Sequence, residues 1–490
     1  MSAPSTASTG STPTAGAGNA DGTGRSGRPV RIAALTAALL AACVAFQLNA
    51  SMLSPVLVTM AHELHTDDAT IGLSQTLFFT VAALFSLFLP RLSDILGRKR
   101  VLIGMLVVML AGSVIAALAL NVGMLFAGRI VQGVAGPVVP ICLLMLRSEI
   151  SDPRRYGAAM GLLTAVNGGI AGVDAIAGGW LATTFGFRSV FWAIAFVTVI
   201  AVVMLAAWGV ESRPSAGVRM DWWGVLPLVV SIGALLTGLN EAGRLAAANW
   251  VLVIVSLAVA VLAFATFWAV ENRVREPLVP TPLLRRRATW ALLLTTLLTM
   301  TGVFAVVNGL VTSLAQNADA GFGMAPDLAS LAFLTPYALV GWLVGPLAGR
   351  LAPSLGYRRI LRIGLGGSVL ATVVMAFVGI HSLPVLIATT VLLGITYAGI
   401  ANIVLNGLGV VLSPSENPGF LPGLNAGAFN LGAGLSFALL PALQVATGAP
   451  ASSTTGYSAG MLLGAAITAV AFAVSFLIPR PASAEIGADR

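Results

Sequence analysis

The sequence predicts an all-α protein that crosses a membrane about fourteen times. Of its 490 residues, 57% are hydrophobic and only 9% are charged, whereas a soluble protein commonly has about a quarter of its residues charged. The apolar stretches run for about 20 residues or more, without the alternation that marks a membrane strand. Lipid offers the backbone no hydrogen bonds, so these stretches are expected to form helices.

Fourteen apolar segments fit this description. They are expected near residues 32–60, 70–90, 101–120, 123–146, 157–183, 189–210, 223–243, 250–270, 288–315, 329–349, 360–380, 383–412, 419–446 and 458–479. Residues 1–30, rich in Ser, Thr, Gly, Ala and Pro, predict a disordered tail, and residues 481–490 a second tail. The N-terminus lacks the layout of a cleaved signal peptide, so the first segment is expected to remain as an anchor.

The basic residues lie on one side of this arrangement. With these spans, 23 of the 26 Lys and Arg residues fall in alternate gaps and in the two tails. The opposite side has Arg188 and Arg244 together with several carboxylates. The positive-inside rule then places both ends in the cytoplasm, which implies an inner (cell) membrane protein. The net charge of +8 is explained by topology, and no nucleic-acid partner is expected.

Two loops indicate an internal repeat. Residues 90–100 and residues 349–359 align without a gap, and both combine a glycine with a basic cluster. Chance similarity of short basic loops is the alternative, but two homologous halves built as parallel repeats explain the match. The predicted units are a six-helix bundle over 31–211, a two-helix insertion over 212–285 and a second six-helix bundle over 286–480.

Several motifs carry a family resemblance. Residues 90–100 resemble the pattern G-x-L-a-D-r-x-G-r-k, and residues 128–133 resemble R-x-x-Q-G. Residues 178–191 and 221–224 resemble the end of a fifth span and the start of an inserted helix pair. On these residues the chain resembles the major facilitator superfamily, in particular its fourteen-span drug:proton antiporter branch. The resemblance implies two six-helix bundles with two inserted helices and a role in transport.

The sequence also departs from that pattern at two places. Asp174 and Ala175 stand where the fifth span of the family usually has Gly-Pro, and Asn49 stands where the drug branch often has a first-span acid. Asp174 is the only carboxylate deep inside a predicted span, roughly 13 Å from its outer end. A charge at this depth is costly and is expected to face a cavity or a partner.

Asp174 is therefore predicted to couple transport to protons. Burial favours its neutral form and a nearby cation favours its charged form, so it could load and release a proton as access alternates. Arg129, at a similar depth in the fourth span, is predicted to be its counter-charge, and a purely structural ion pair is the alternative.

Further polar residues are candidates for other roles. Interhelical hydrogen bonds are the ordinary reading of amides inside apolar spans, and substrate contacts are the alternative for Asn49, Gln132, Asn167, Asn308, Asn402 and Asn406. The loop residues Asp94, Gly97, Arg98 and Lys99 are predicted to gate transport, as the family resemblance implies. Asp94 would cap a neighbouring helix, and the basic cluster would hold the two halves together.

The predicted function is proton-coupled export of hydrophobic or amphipathic small molecules such as antibiotics, by a monomer in the lipid bilayer. The alternative is a carrier for a metabolite such as an amino acid or a siderophore, without proton antiport. No catalytic residues, cofactor or metal site is predicted, and the absence of a phosphate-binding Gly-Lys-Ser/Thr loop disfavours an ATP-driven pump. A membrane enzyme or a receptor would need features that the short outer loops do not offer.

Overall fold

The computed structural model describes residues 27–150, 152–212, 220, 222–242, 248–274, 281–414, 420–448 and 453–480. These residues are helical apart from short connections, and no strand occurs among them. The predicted tail residues 1–26 and 481–490 lie outside the described part. The predicted tail extended to residue 30, and this boundary was wrong because the first helix already begins at Gly27.

The first half contains eight α-helices in its described residues. They are α1 (Gly27–Ser51), α2 (Leu57–Glu63), α3 (Asp68–Leu96), α4 (Arg98–Ala117), α5 (Val122–Gly133), α6 (Val138–Glu149), α7 (Pro153–Phe185) and α8 (Phe187–Trp208). The N-terminal ends of α3 and α5 carry side-chain caps: Asp67 accepts from Thr70 N at 2.8 Å and Asn121 accepts from Met124 N at 2.9 Å. Each cap satisfies a backbone N–H that has no partner within its helix.

The rest of the chain supplies twelve more α-helices in its described residues. They are α9 (Trp222–Ala242), α10 (Trp250–Glu271), α11 (Thr281–Leu284), α12 (Arg287–Ala305), α13 (Thr312–Gln316), α14 (Pro326–Ala329), α15 (Thr335–Leu355), α16 (Tyr357–Phe377), α17 (Leu383–Leu393), α18 (Asn402–Val411), α19 (Phe420–Thr447) and α20 (Thr455–Val474). Helices α9 and α10 pack mainly against each other, and α9 also touches α3 and α19.

Thirteen helical segments among the described residues are long and apolar enough to cross a membrane. The protein is therefore a multi-pass membrane protein. Helix α7 lies between the fourth and the fifth of these segments and has 33 residues, a length of about 50 Å. Cys43 and Cys142 are buried free thiols in this bundle, so neither forms a disulfide.

Several predicted spans are not single α-helices. The first span changes to a 3-10 helix at Ser54–Val56, and the span predicted at 288–315 contains a π-helix at Val306–Val311. These two irregular segments touch, because Ser54 Oγ donates to Asn308 Oδ1 at 3.2 Å and Gln316 Nε2 donates to Pro55 O at 3.0 Å. Two further π-helices, Ser330–Leu334 and Gly394–Ala401, lie in the spans that include α15 and α18.

The turns of the two repeated loops have the same backbone geometry. Gly97 ends α3 with a φ of 100°, and Gly356 ends α15 with a φ of 90°. Residues with a Cβ rarely adopt this region, so both loops need glycine there. The gapless alignment of residues 90–100 with 349–359 thus corresponds to equal turns between consecutive long helices.

The two halves meet along two seams. One is formed by α3 and α19, where Thr76 Oγ1 donates to Gly434 O at 3.1 Å. The other is formed by α7 and α15, where Thr335 Oγ1 donates to Gly172 O at 2.9 Å. Backbone atoms approach closely at both seams because Gly434 and Gly172 carry no side chain, as is usual where membrane helices pack.

Candidate substrate and coupling site

The guanidinium of Arg129 lies fully buried at the centre of the first half. Its Nη1 donates to Gln132 Oε1 at 2.8 Å and to Asn49 O at 3.3 Å, and its Nη2 donates to Gln75 Oε1. Its Cζ also lies 4.2 Å from the centre of the Phe78 ring. Neutral oxygens and a ring face therefore hold this cation, which suits arginine because its planar group spreads several donors.

Close packing of α4 against α5 builds this network. A Cβ on Gly112 would lie 2.7 Å from Gln132 N, and one on Gly128 would lie 2.8 Å from Ala116 N. Because both glycines lack a side chain, Gln132 Nε2 reaches Ser113 Oγ on α4 at 2.9 Å. The sequence R-x-x-Q-G thus places the arginine and the glutamine on one face of α5, at a spacing of three residues.

Asp174 lies on α7, with 3% of its surface exposed, in a separate network. Ser51 Oγ donates to Asp174 Oδ2 at 2.5 Å, and Gln47 Nε2 donates to Ser51 Oγ at 3.1 Å. Asp174 Oδ1 has no hydrogen-bond partner. Leaving a buried polar atom without a partner costs about 1–3 kcal/mol, so this oxygen is available to a proton or a ligand.

The prediction that Arg129 pairs directly with Asp174 was wrong for this structure. No ion pair joins them among the described residues, because Arg129 is already held by Gln75, Gln132 and the Asn49 carbonyl. Helix α1 connects the two networks through two residues that are two positions apart. The carbonyl of Asn49 binds Arg129, and the hydroxyl of Ser51 binds Asp174. Helix α1 thus links the arginine and the carboxylate by hydrogen bonds, and their charges also interact through space.

The second half contributes amides in place of charges. Asn308 sits in the π-helix Val306–Val311 and donates through Nδ2 to Phe304 O at 3.0 Å. In α18, Asn406 Nδ2 donates to Asn402 Oδ1 at 3.0 Å, so these two amides lie on one face of the helix. Asn425 Nδ2 donates to Asn406 Oδ1 at 3.5 Å, which extends this chain of amides to α19.

The structure brings only some of the predicted candidates together. Asn49 and Gln132 join the arginine network, and Asn308 lies at the contact between the halves, whereas Asn402 and Asn406 form a separate group. The side chain of Asn167 lies outside the described part of the chain. An aromatic cluster occupies the seam of α3, α12 and α19, where Phe79 packs edge-on against Phe304 at 5.3 Å between ring centres and parallel to Phe437 at 6.4 Å.

A further polar cluster joins the halves at the end of the bundle where α3 begins. Asp68, at the start of α3, accepts hydrogen bonds through Oδ2 from Ser313 and from Gln444, the latter at 3.4 Å. Ser313 Oγ and Tyr457 OH lie 3.0 Å apart, and Asn317 Nδ2 donates to Tyr457 OH at 3.2 Å. This cluster holds the halves together at that end.

The predicted gating loop is bound within its own half. Arg98 donates through Nε and Nη2 to Asp94 Oδ1, at 3.0 and 2.9 Å, and through Nη1 to Leu144 O at 2.9 Å. Among the described residues Asp94 binds Arg98 and caps no helix, so the predicted cap is not formed in that part of the chain. The start of α4 is instead met by side chains that follow α8, since Ser212 Oγ accepts from Arg98 N and Glu211 Oε1 accepts from Lys99 N.

The bonds that are described for this loop all have partners in the first half. Lys99 Nζ donates to Ala206 O at 2.8 Å, and Glu211 Oε2 lies 3.6 Å from Arg100 Nε. Each of these bonds ties the α3–α4 loop to the end of α8. Among the described residues, the printed bonds of Arg98, Lys99 and Arg100 all stay within the first half, so these three residues do not form the predicted bridge to the second half.

Sequence reasoning missed three residues of these networks. Gln75 and Ser51 are ordinary polar residues in apolar helices, and nothing in their spacing marks them. Only the folded structure shows that Gln75 binds the guanidinium and Ser51 the carboxylate. Asp68 carries a weak signal, because it follows the cap Asp67 and opens a span, but its partners come from residues about 245 to 376 positions away.

The described residues form an all-helical membrane protein whose two halves meet along two seams. Buried polar atoms without partners lie between its helices. This is the architecture of a secondary transporter. The chain belongs to the major facilitator superfamily, whose family model matches residues 39–437. It is a small-molecule transporter of this superfamily and not an enzyme.

Two curated relatives bear on its cargo. The uridine/deoxyuridine transporter of Lactococcus lactis subsp. cremoris is 50% identical over 455 residues, which cover 91% of this chain and 95% of that protein. Multidrug resistance protein Stp of Mycobacterium tuberculosis is 26% identical over 370 residues, which cover 74% of this chain and 67% of that protein. The relatives therefore favour the metabolite-carrier alternative over the drug-export reading.

Two solved structures show the same fold. The human organic anion transporter MFSD10 superposes with a TM-score of 0.60 at 15% identity, covering 92% of this chain and 99% of that chain. A mutant of the nucleoside transporter NupG superposes with a TM-score of 0.59 at 14% identity, covering 91% of this chain and 100% of that chain. At these identities the likeness concerns the fold alone.

Proposed function

We propose that this protein carries pyrimidine nucleosides of the uridine and deoxyuridine kind across the cell membrane. The single observation that carries the proposal is the 50% identity to a transporter of these nucleosides along 91% of this chain. The cargo differs from the amino acids and siderophores considered from the sequence, but it belongs to the same class of polar metabolites.

The buried side chains support a neutral, polar cargo. A nucleoside presents several hydrogen-bond donors and acceptors on an uncharged frame, and amides can satisfy both kinds. This chain has Asn49 where the drug branch often has an acid, and Gln75 and Gln132 lie beside it around Arg129. The aromatic cluster around Phe79 and Phe304 offers ring surfaces of the kind on which bases stack.

Uptake by proteoliposomes tests the cargo. Labelled uridine should enter vesicles that contain the protein, and deoxyuridine should compete, while a hydrophobic drug such as ethidium should compete poorly. Empty vesicles and vesicles containing an inactive variant are the controls. Export of ethidium from loaded vesicles without uridine transport would overturn the proposal and restore the drug-export reading.

We further infer that the chain crosses the membrane fourteen times, with α7 as the span beyond the thirteen described above and with both ends in the cytoplasm. The insertion α9–α10 then spans the membrane as a hairpin beside α3 and α19. Reporter fusions after residues 216 and 280 should indicate the cytoplasm, and a fusion after residue 245 the outer face. A cytoplasmic signal after residue 245 would remove the hairpin from the membrane.

Proton coupling through Asp174 remains part of the proposal. The carboxylate is buried, only one of its oxygens is bound, and α7 packs against the second half at the seam with α15. A group placed there can change its protonation as the halves move. Uridine accumulation in response to an imposed pH gradient, abolished by an uncoupler, is the expected result, and accumulation that ignores the gradient would refute coupling.

A further inference from the structure

Two buried amides beside Arg129 each keep one polar atom without a partner. Asn49 Nδ2 donates to Ala45 O at 3.2 Å, which leaves Asn49 Oδ1 unbound. Gln75 Oε1 accepts from Arg129 Nη2, which leaves Gln75 Nε2 unbound. These bonds also fix which end of each amide is oxygen and which is nitrogen. Arg129 Nε is also buried and unbound, so the site offers one free acceptor and two free donors.

The two amides border the same guanidinium. Arg129 Nη1 donates to the backbone carbonyl of Asn49 at 3.3 Å, and Nη2 binds the side chain of Gln75. Because Nη1 and Nη2 belong to one rigid planar group, the arginine fixes the backbone of Asn49 relative to the side chain of Gln75, and the Asn49 side chain is held by its own bond to Ala45 O. Buried polar atoms in native proteins almost always have a hydrogen-bond partner. The unbound atoms Asn49 Oδ1 and Gln75 Nε2 beside one guanidinium therefore indicate a ligand site.

We propose that Asn49 Oδ1 and Gln75 Nε2 recognise the imide edge of a uracil base, an assignment that rests on the proposed nucleoside transport. Asn49 Oδ1 accepts the hydrogen bond of the ring N3–H, and Gln75 Nε2 donates to an adjacent ring carbonyl. Uracil offers this N–H beside a carbonyl on both sides. Cytosine has an acceptor nitrogen at the same ring position, which would face the Asn49 oxygen and repel it.

Access to this pair follows from its place in the bundle. Both residues are fully buried in this conformation. Gln75 precedes Thr76, which binds Gly434 of the second half, so the amide lies one residue from the α3–α19 seam. When the halves rock about the binding site, this seam opens and the region beside it becomes reachable.

Substrate analogues test the assignment without a mutation. In competition against labelled uridine, 3-methyluridine and cytidine should bind the parent protein at least about tenfold more weakly than uridine, because each lacks the N3–H donor. Equal competition by 3-methyluridine would overturn the assignment while leaving uridine transport intact. Absence of any uridine transport would instead refute the proposed function, so the two failures are distinct.

Variants then locate the contact. Asn49→Leu should raise the KM for uridine about tenfold and bring 3-methyluridine to the same KM. Asn49→Asp retains an acceptor oxygen and should keep the discrimination. Asn425→Leu is the matched control, because this buried amide has both ends bound, to Thr296 and to Asn406; its uridine to 3-methyluridine ratio should stay parental. A parental ratio in Asn49→Leu would refute the assignment.

Discussion

The two halves of this protein share a loop geometry but bury different chemistry. The first half buries a cation and a carboxylate, Arg129 and Asp174, and the inserted pair α9–α10 buries Glu241 and Glu271. The second half, residues 286–480, buries no charged side chain among its described residues. The second half instead has three π-helices, at Val306–Val311, Ser330–Leu334 and Gly394–Ala401, and the described part of the first half has none. Wide turns of this kind often occur at functional sites.

This difference indicates that the two halves have different roles in transport. A buried charge responds to protons and to polar ligands, and regular helices keep it in place. A π-helix carries an extra residue in its turn and can change its local geometry without breaking the span. We infer that the first half senses the proton and the base, and that the second half supplies most of the movement.

Replacing a buried arginine of the first half should reduce uridine uptake far more than replacing an arginine of the second half. Arg129→Met leaves Gln75, Gln132 and the Asn49 carbonyl without their donor, each at about 1–3 kcal/mol, so uridine uptake should fall by at least about a hundredfold. Arg129→Lys should not restore it, because an ammonium cannot reproduce the planar set of donors. The control is Arg362→Met in α16, a partly exposed arginine stacked 3.9 Å from the Phe476 ring centre. Equal losses at both positions, measured at matched membrane levels, would erase the comparison.

The next effect concerns the carboxylates. Asp174→Asn keeps the shape and the Ser51 contact but cannot titrate, so uphill accumulation of uridine should be lost while exchange of labelled for unlabelled uridine survives. Asp319→Asn, at an exposed carboxylate of the second half, is the control and should leave accumulation close to parental. If Asp174→Asn still accumulates uridine and remains sensitive to an uncoupler, Asp174 has a structural role only.

Single deletions compare the helices themselves. Removing Ile395 from the π-helix Gly394–Ala401 should convert it to an α-helix without rotating the residues beyond it, so the protein should reach the membrane but turn over severalfold more slowly. Removing Val107 from the regular helix α4 should rotate the rest of that helix by about 100° and abolish accumulation of folded protein. Parental turnover without Ile395 would show that the π-helix is not needed for movement.

The repeated glycine turns should differ in their tolerance of a side chain. Gly97→Ala and Gly356→Ala both place a Cβ at a positive φ, at about 1–2 kcal/mol. At Gly97 the new carbon also meets the Glu211 carboxylate, whereas nothing lies within 4 Å of one at Gly356. Thermal unfolding in detergent should therefore show a larger loss for Gly97→Ala. A larger loss at Gly356 would contradict this account of the loop.

The smallest effect is expected at Asp94. This carboxylate binds only Arg98, across a partly exposed ion pair, which is worth about 1 kcal/mol or less. Asp94→Asn should leave expression and the KM for uridine unchanged and should lower the turnover severalfold or less. Pro353→Ala at the matching position of the second loop is the control, with parental turnover expected. A parental rate for Asp94→Asn would remove the gating role.

Much of the fold follows from composition and periodicity. Long apolar segments must be helical in lipid, so their number and positions were largely predictable. The repeat of residues 90–100 at 349–359 was visible because glycine is strongly favoured at the φ values of 100° and 90° that Gly97 and Gly356 adopt. Breaks within spans were not predictable, because sequences such as those of the π-helices are as apolar as their neighbours.

The site was predictable only as a set of candidates. A charge or an amide inside an apolar span is expensive, and so Arg129, Asp174, Asn49 and Gln132 could be singled out from the sequence alone. Their partners were decided by tertiary structure. Gly112 and Gly128 let α4 and α5 approach closely. With α1 and α3 packed beside them, the Arg129 guanidinium binds Gln75 and Gln132. The Asp174 carboxylate binds Ser51 instead. Hydrogen bonds act over about 3 Å, and the order of residues along the chain does not specify distances at that scale between helices that are far apart in sequence.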